Sequence, residues 1–312
     1  MNKGFLTYEQ QLKNLQSKGL SISDADYAKK CLEYYSYSSL IGGYKHPFKH
    51  KPSGKYLYGV DFNEIVAFYN FDEELRNLFL RYILHIEKHI KSLYSYAFCS
   101  KYGEKQTAYL DKYNYNYKGK TNKGEISRLT SSLLKTISLP TQYKYIEHNI
   151  NAYGNVPLWV AMNALTFGQV SKMYQFATTD IRSSISHHFT SLTEKQLHTF
   201  IRCLAKCRNI CAHGERLYNF RSNEGITDVL LHKKLGIKRI KGHYVGGTND
   251  LFSVVITVKY LLSGAEFIAF KRQLNRIITN MIKSCPHINS KVILKEMGFP
   301  ENWSKISRFH KI

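Results

Sequence analysis

The densest chemistry in this sequence lies in the run Cys203-Leu204-Ala205-Lys206-Cys207-Arg208-Asn209-Ile210-Cys211-Ala212-His213-Gly214-Glu215-Arg216-Leu217-Tyr218-Asn219. At roughly 100° per residue on a helix, Asn209 and His213 fall about 40° apart, with Arg208 beside them. Cys203, Cys207 and Cys211 form a separate stripe of small residues that suits packing better than metal binding. Cleaving RNA without a metal needs a base for the ribose 2′-hydroxyl, an acid for the leaving 5′-oxygen, and positive charge at the phosphorane. Histidine can carry the proton near neutral pH, and arginine matches phosphate oxygens with a planar fork. One imidazole cannot serve as base and acid in the same step. A second copy of the motif brought by a second protomer completes the pair, so the chemistry predicts a homodimer. The competing readings are a histidine that neutralises a helix dipole and an arginine that is merely a surface charge.

Other residues could support this centre. Arg216 continues its basic face, and Glu87 sits in an otherwise apolar helical stripe from which it could orient His213 or Arg208, or else pair with Lys91 on a solvated face. His85 and His89 have the spacing of a metal pair, yet no further ligand is arranged with them, so no metal and no cofactor is expected. Tyr113, Tyr115 and Tyr117 interleave with Lys112, Lys118, Lys120 and Lys123, a pattern suited to stacking on bases beside phosphate contacts or, equally, to a solvated loop. Lys233, Lys234, Lys238, Arg239 and Lys241 form the densest basic run and read as phosphate contacts.

The charge balance favours a polyanionic partner. Among 312 residues, 45 Lys and Arg against 23 Asp and Glu give a net charge of +22. AT-rich coding would raise Lys but does not account for the shortage of Asp and Glu. Nucleic acid is therefore the expected partner, with RNA ahead of DNA. A hydrophobic fraction of 43% is enough for a large core and excludes disorder for most of the chain. No apolar stretch approaches the ~20 residues of a membrane span, and no broad apolar face is paired with a cationic one. The amino-terminal stretch lacks the apolar block of a signal peptide, and six cysteines do not make a disulfide scaffold. A cytoplasmic location with reduced thiols follows as the expectation. A phosphate-cradling glycine loop and a carboxylate cluster for Mg²⁺ are both missing, which argues against an enzyme acting on DNA or nucleotides.

Helices must position these groups. Thr7 with Gln10 predicts a capping box for a helix over 7–19 ended by Gly19, and Ser23 a cap for the next, broken at Gly42 and Gly43. Residues 44–60 read as a loop, and 61–100 as a short helix followed by a long one. The segment 101–125 reads as an exposed loop, 125–138 and 141–150 as helices, and Pro157 and Phe167-Gly168 as the starts of two more. After a polar stretch at 178–191, Thr193 with Gln196 caps the motif helix. A short hairpin is expected near 237–245, helices over 249–262 and 264–284, and one short helix near 288–297. The division is an N-terminal helical extension (1–60), a helical core (61–285) and a C-terminal tail (286–312), packed as one unit.

Taken in order, Leu6-Thr7-Tyr8, Gly19-Leu20, Tyr34-Tyr35, Gly43-Tyr44, Pro47-Phe48, Glu87, Pro157-Leu158-Trp159, Phe167-Gly168, Arg208-Asn209 through His213, Arg216-Leu217-Tyr218-Asn219, Gly298-Phe299-Pro300 and Trp303 resemble the abortive-infection proteins of the AbiD/AbiF type, in the HEPN superfamily of helical ribonucleases. That resemblance implies an all-α HEPN-type bundle, a metal-independent centre at Arg208 and His213 with Asn209 as its polar member, dimerisation, and a role in halting growth during phage infection. Residues 221–247 are more Gly- and Lys-rich than the resemblance leads one to expect. An uncontrolled ribonuclease harms its host, and the positive charge points to a bound structured RNA as the restraint, in the manner of a toxin–antitoxin pair. The alternative is a non-catalytic helical RNA-binding regulator whose motif is structural.

Overall fold

Thr7 opens α1 (Tyr8–Gln16) with the expected capping box, its hydroxyl accepting from the Gln10 N–H while the Gln10 side chain accepts from the Thr7 N–H. This is a computed structural model, and it describes residues 4–309. The cap of α2 (Ala25–Tyr35) is Asp24 rather than Ser23, because Ser23 is already bound through its N–H and hydroxyl to the Asp61 carboxylate. The second helix also stops before Gly42-Gly43. Ser36 takes a left-handed φ of 62°, which ends the ladder, and Ser38–Gly42 then form a single π-helical turn.

Asp61 and Glu64 cap α3 (Phe62–Tyr102), one unbroken helix of 41 residues where the sequence pattern suggests a short and a long one. Its sequence contains neither Gly nor Pro, and the polar step near Asn70 to Glu74 does not break it. Asp72 and Arg76 turn inward there, one turn apart, and pair at 2.7 Å. The expected exposed loop at 101–125 instead holds α4 (Gln106–Leu110) and the start of α5 (Lys120–Ile137). It is anchored by buried tyrosines: the Tyr109 hydroxyl donates to the Val156 carbonyl at 2.7 Å and the Tyr115 hydroxyl to the Tyr109 carbonyl at 2.8 Å.

There follow α6 (Lys144–Tyr153), α7 (Leu158–Ala161) begun by Pro157, and α8 (Phe167–Phe176) capped by Thr166. The polar stretch at 178–191 contains α9 (Thr179–Ser186), whose Ile181 and Ile185, one turn apart, supply a buried stripe. Next come α10 (Glu194–Ala212), α11 (Leu230–Lys234), the hairpin of β1 (Arg239–Ile240) and β2 (His243–Tyr244), α12 (Leu251–Leu261), α13 (Gly264–Ser284) and α14 (Ser290–Glu296). The protein is all-α, with this antiparallel pair as the named sheet among the described residues.

The long α3 organises the rest: α13 and α10 pack along it, and α8 and α12 cover other sides of α10. With α3, α8 and α12 packed against it, α10 has a single side left for solvent. Among the described residues no helix is long and apolar enough to cross a membrane. Gly298, in the tail, sits at φ +84°, and a Cβ there would run into the Asp250 carboxylate. That carboxylate holds the Gly247 and Ser253 N–H groups and so fixes the start of α12, which explains why glycine occupies the position.

Within α10, His198 lies half-buried among Arg202, Arg182 and Lys172, opposed by Glu224. Burial first and these cations second hold its pKa down at about 4. An unfolded histidine titrates near 6.5, so between these values the unfolded chain binds the extra proton and folding weakens as pH falls. The contribution of His198 to stability is therefore expected to be full above about pH 6.5 and to decline toward pH 4. In His198→Gln that part of the slope should vanish, as urea melts across this range would read.

Candidate catalytic centre at the close of helix α10

Thr193 and Gln196 begin α10 with the expected capping box. Leu197, Phe200, Ile201 and Leu204 are buried on one side together with Cys203, Cys207 and Cys211. Burial pushes the Cys203 thiol up to about 11 and raises the Cys207 thiol as well, so these sulfurs are protonated packing groups. The other side carries Arg208, partly buried, and Asn209 and His213, both exposed. His213 is the C-cap, its N–H donating to the Asn209 carbonyl at 3.0 Å. Arg208 and His213 are five residues apart in sequence, which places them about 140° apart around the axis, so they do not form a contact pair within one helix.

Gly214, at φ +69°, turns the chain out of the helix, and the Glu215 N–H returns to the Ile210 carbonyl at 3.1 Å. Arg216 then donates to the Gly43 carbonyl at 2.9 Å. The next two N–H groups, of Leu217 and Tyr218, point at the buried Asp72 carboxylate at 3.1 and 2.6 Å. Asp72 also accepts from Arg76 at 2.7 Å and from the Tyr44 hydroxyl at 2.7 Å. Burial raises its carboxyl above the ordinary range, while the Tyr44 and backbone hydrogen bonds and the Arg76 charge pull the other way. This anchor ties the loop after His213 to α3, and the motif's own spacing gives no hint of it. A signal does lie elsewhere in the sequence: an Asp and an Arg one turn apart, on either side of Leu75, in a strongly apolar helix.

Of the three contacts suggested for Glu87, the structure has those with Lys91 and Arg208, on a face that is buried rather than solvated. One oxygen lies 2.7 Å from the Lys91 Nζ, which also donates to the Leu165 carbonyl at 2.7 Å. The other lies 3.6 Å from the Arg208 Nε, too far for a hydrogen bond but close enough for attraction between opposite charges. Both of these facing atoms are buried and lack a hydrogen-bond partner. Glu87 thus reaches Arg208 and not His213.

In the first basic cluster Lys112 lies 5.3 Å from the Tyr113 ring and 5.2 Å from Tyr117, and Lys123 5.6 Å from Tyr117. Lys118 and Lys120 are exposed. Tyr115 is buried and cannot stack on a base, a correction to the alternating pattern in the sequence. In the second cluster Lys233 and Lys234 fall in the last turn of α11, and Lys234 lies 5.6 Å from the Phe309 ring. Arg239 is committed to an ion pair with Asp228 and to the face of Tyr244, which leaves it less available to phosphate than its sequence context suggests. Lys238 and Lys241 lie at the hairpin, where Lys241 is exposed and holds the turn at φ 48°. His85 approaches Glu266 at 3.7 Å, and the His89 ring packs against Phe189.

The fold and site define an all-helical protein that presents a polar His/Asn/Arg group where a buried helix ends. The sequence profile of the Abi-like protein family matches residues 30–219, more than half of the chain, and the chain belongs to that family. The matched span includes α3, Glu87, Asp72 and the whole motif through Asn219. Neither the curated proteins nor the solved structures contain a match.

Proposed function

We propose that the protein is a metal-independent endoribonuclease of the HEPN type that acts in abortive infection, as a homodimer in which two copies of Arg208, Asn209 and His213 face each other. The observation that carries this reading is an exposed imidazole at the close of α10, on a loop anchored by Asp72, with a half-buried guanidinium held beside Glu87 on the same helix. In the reaction, one His213 takes the proton of the 2′-hydroxyl as that oxygen attacks phosphorus. The phosphorane gains negative charge opposite Arg208. The P–O5′ bond then breaks, and the second His213 gives its proton to the leaving oxygen. The products are a 2′,3′-cyclic phosphate and a 5′-hydroxyl. A structured RNA bound through the surplus positive charge holds the enzyme silent until infection.

The test uses purified protein and single-stranded RNA in excess chelator. Cleavage is expected to persist and to leave cyclic-phosphate ends. A covalently tethered dimer of one wild-type and one His213→Ala copy should be nearly as inactive as the doubly substituted dimer, because the site needs two imidazoles. Retention of half the activity would mean two independent sites. RNA binding without cleavage would favour the regulatory reading.

A further inference from the structure

A cleft of about 870 Å³ begins one residue after His213 and offers chemistry that phosphodiester cleavage itself does not use. It lies between the end of α2, the π turn and the Gly214–Asn219 loop. Tyr34 stands at this cleft with 82% of its surface in solvent. Its ring meets Tyr35 edge-on at 4.7 Å, and Tyr35 meets Tyr69 at 4.6 Å, so the exposed ring leans on a cluster of two others. An exposed aromatic held by a packed base is a platform on which a nucleobase can stack. The backbone that delivers it is unusual twice over, in the left-handed Ser36 and in the π turn that follows.

The charged lining is Arg216, tethered at Gly43, together with Glu73 and Glu215, and Ser38, Ser39 and Asn219 add neutral polar groups. Both carboxylates are exposed, and among the described residues neither has an ion-pair partner, in a chain of net charge +22. Two carboxylates and one guanidinium leave the cleft's lining net negative, which disfavours a phosphate and favours N–H donors. The two oxygens of one carboxylate match the adjacent N1–H and N2–H donors of guanine. Uracil offers a single ring N–H between two carbonyls.

We propose that this cleft reads one unpaired base of single-stranded RNA, guanine over uracil, by stacking on Tyr34 with its donor edge on Glu73 or Glu215. The claim that this base flanks the bond to be cut rests on the ribonuclease reading above; the binding claim does not. The experiment uses full-length His213→Ala protein and two fluorescein-labelled RNA octamers, all-uridine and the same with one central guanosine. Fluorescence anisotropy is read in about 0.3 M salt, to suppress contacts to phosphate alone. The guanosine octamer should bind at least about fivefold tighter, a Glu73→Gln/Glu215→Gln variant should erase that difference, and Tyr34→Ala should weaken both octamers. Equal binding of the two octamers, or a preference that survives the double substitution, would overturn the proposal. So would a Tyr34→Ala variant that changes only the mass seen by light scattering, since the tyrosine would then belong to a self-association face. Wild-type protein assayed for cleavage of the same octamers separates the two readings: a guanine preference without cleavage removes the ribonuclease and leaves the base-reading cleft.

Discussion

Replacing His213 with alanine is expected to lower RNA cleavage by roughly 10²–10⁴-fold, the usual contribution of a positioned general acid or base. The side chain is exposed at the C-cap, so the variant should melt as the parent does. Its affinity for RNA should also persist, since the proposed reading draws that affinity from Lys and Arg spread over the surface. In cells, expression of the parent should arrest growth and the variant should not. Arg208→Ala is expected to cost about 10²–10³-fold through loss of charge at the phosphorane, with Arg208→Lys restoring only part, since an ammonium lacks the planar fork. If both alanine variants still cleave and still arrest growth, the centre has been misassigned.

The largest effect on stability is expected at Asp72. Asp72→Ala removes the acceptor for Arg76, Tyr44 and the N–H groups of Leu217 and Tyr218, and leaves a buried guanidinium without its partner. Breaking one member of a buried pair typically costs about 3–5 kcal/mol. In a chain of this size that corresponds to a fall in Tm of roughly 5–8 °C. Adding Arg76→Leu should recover a good part of the loss, because the stranded charge goes with it, and a double-mutant cycle would measure the coupling. No recovery in the double variant would mean that the backbone contacts to Leu217 and Tyr218 carry the effect. Activity should fall even well below the melting range, since the chain leaving His213 is held by this carboxylate.

Local chemistry is what the amino-acid sequence makes legible. The capping boxes at Thr7/Gln10 and Thr193/Gln196, the hairpin near 237–245, the buried cysteine stripe and the exposed side of α10 all depend on residues three or four apart, or on a turn and its flanks. Such relations are written directly in the order of residues. The departures have the same origin. The polar step in α3 resembles a break because its two charges satisfy each other only when both are buried. The tyrosines at 109 and 115 resemble members of a solvated loop because their partners, at 156 and 109, are set by how that loop folds back.

The local period thus determined an all-helical chain, the helix that ends at His213, and the residue types able to move a proton and meet a phosphate. Only the packing of distant segments decided that Glu87 faces Arg208, that a carboxylate 145 residues upstream grips the chain just after the motif, and that the end of α2 and the loop after His213 share one cleft. The reason is physical. Helix formation is settled within a turn or two, whereas which faces meet depends on side-chain shape and charge summed over segments that the chain's order keeps far apart.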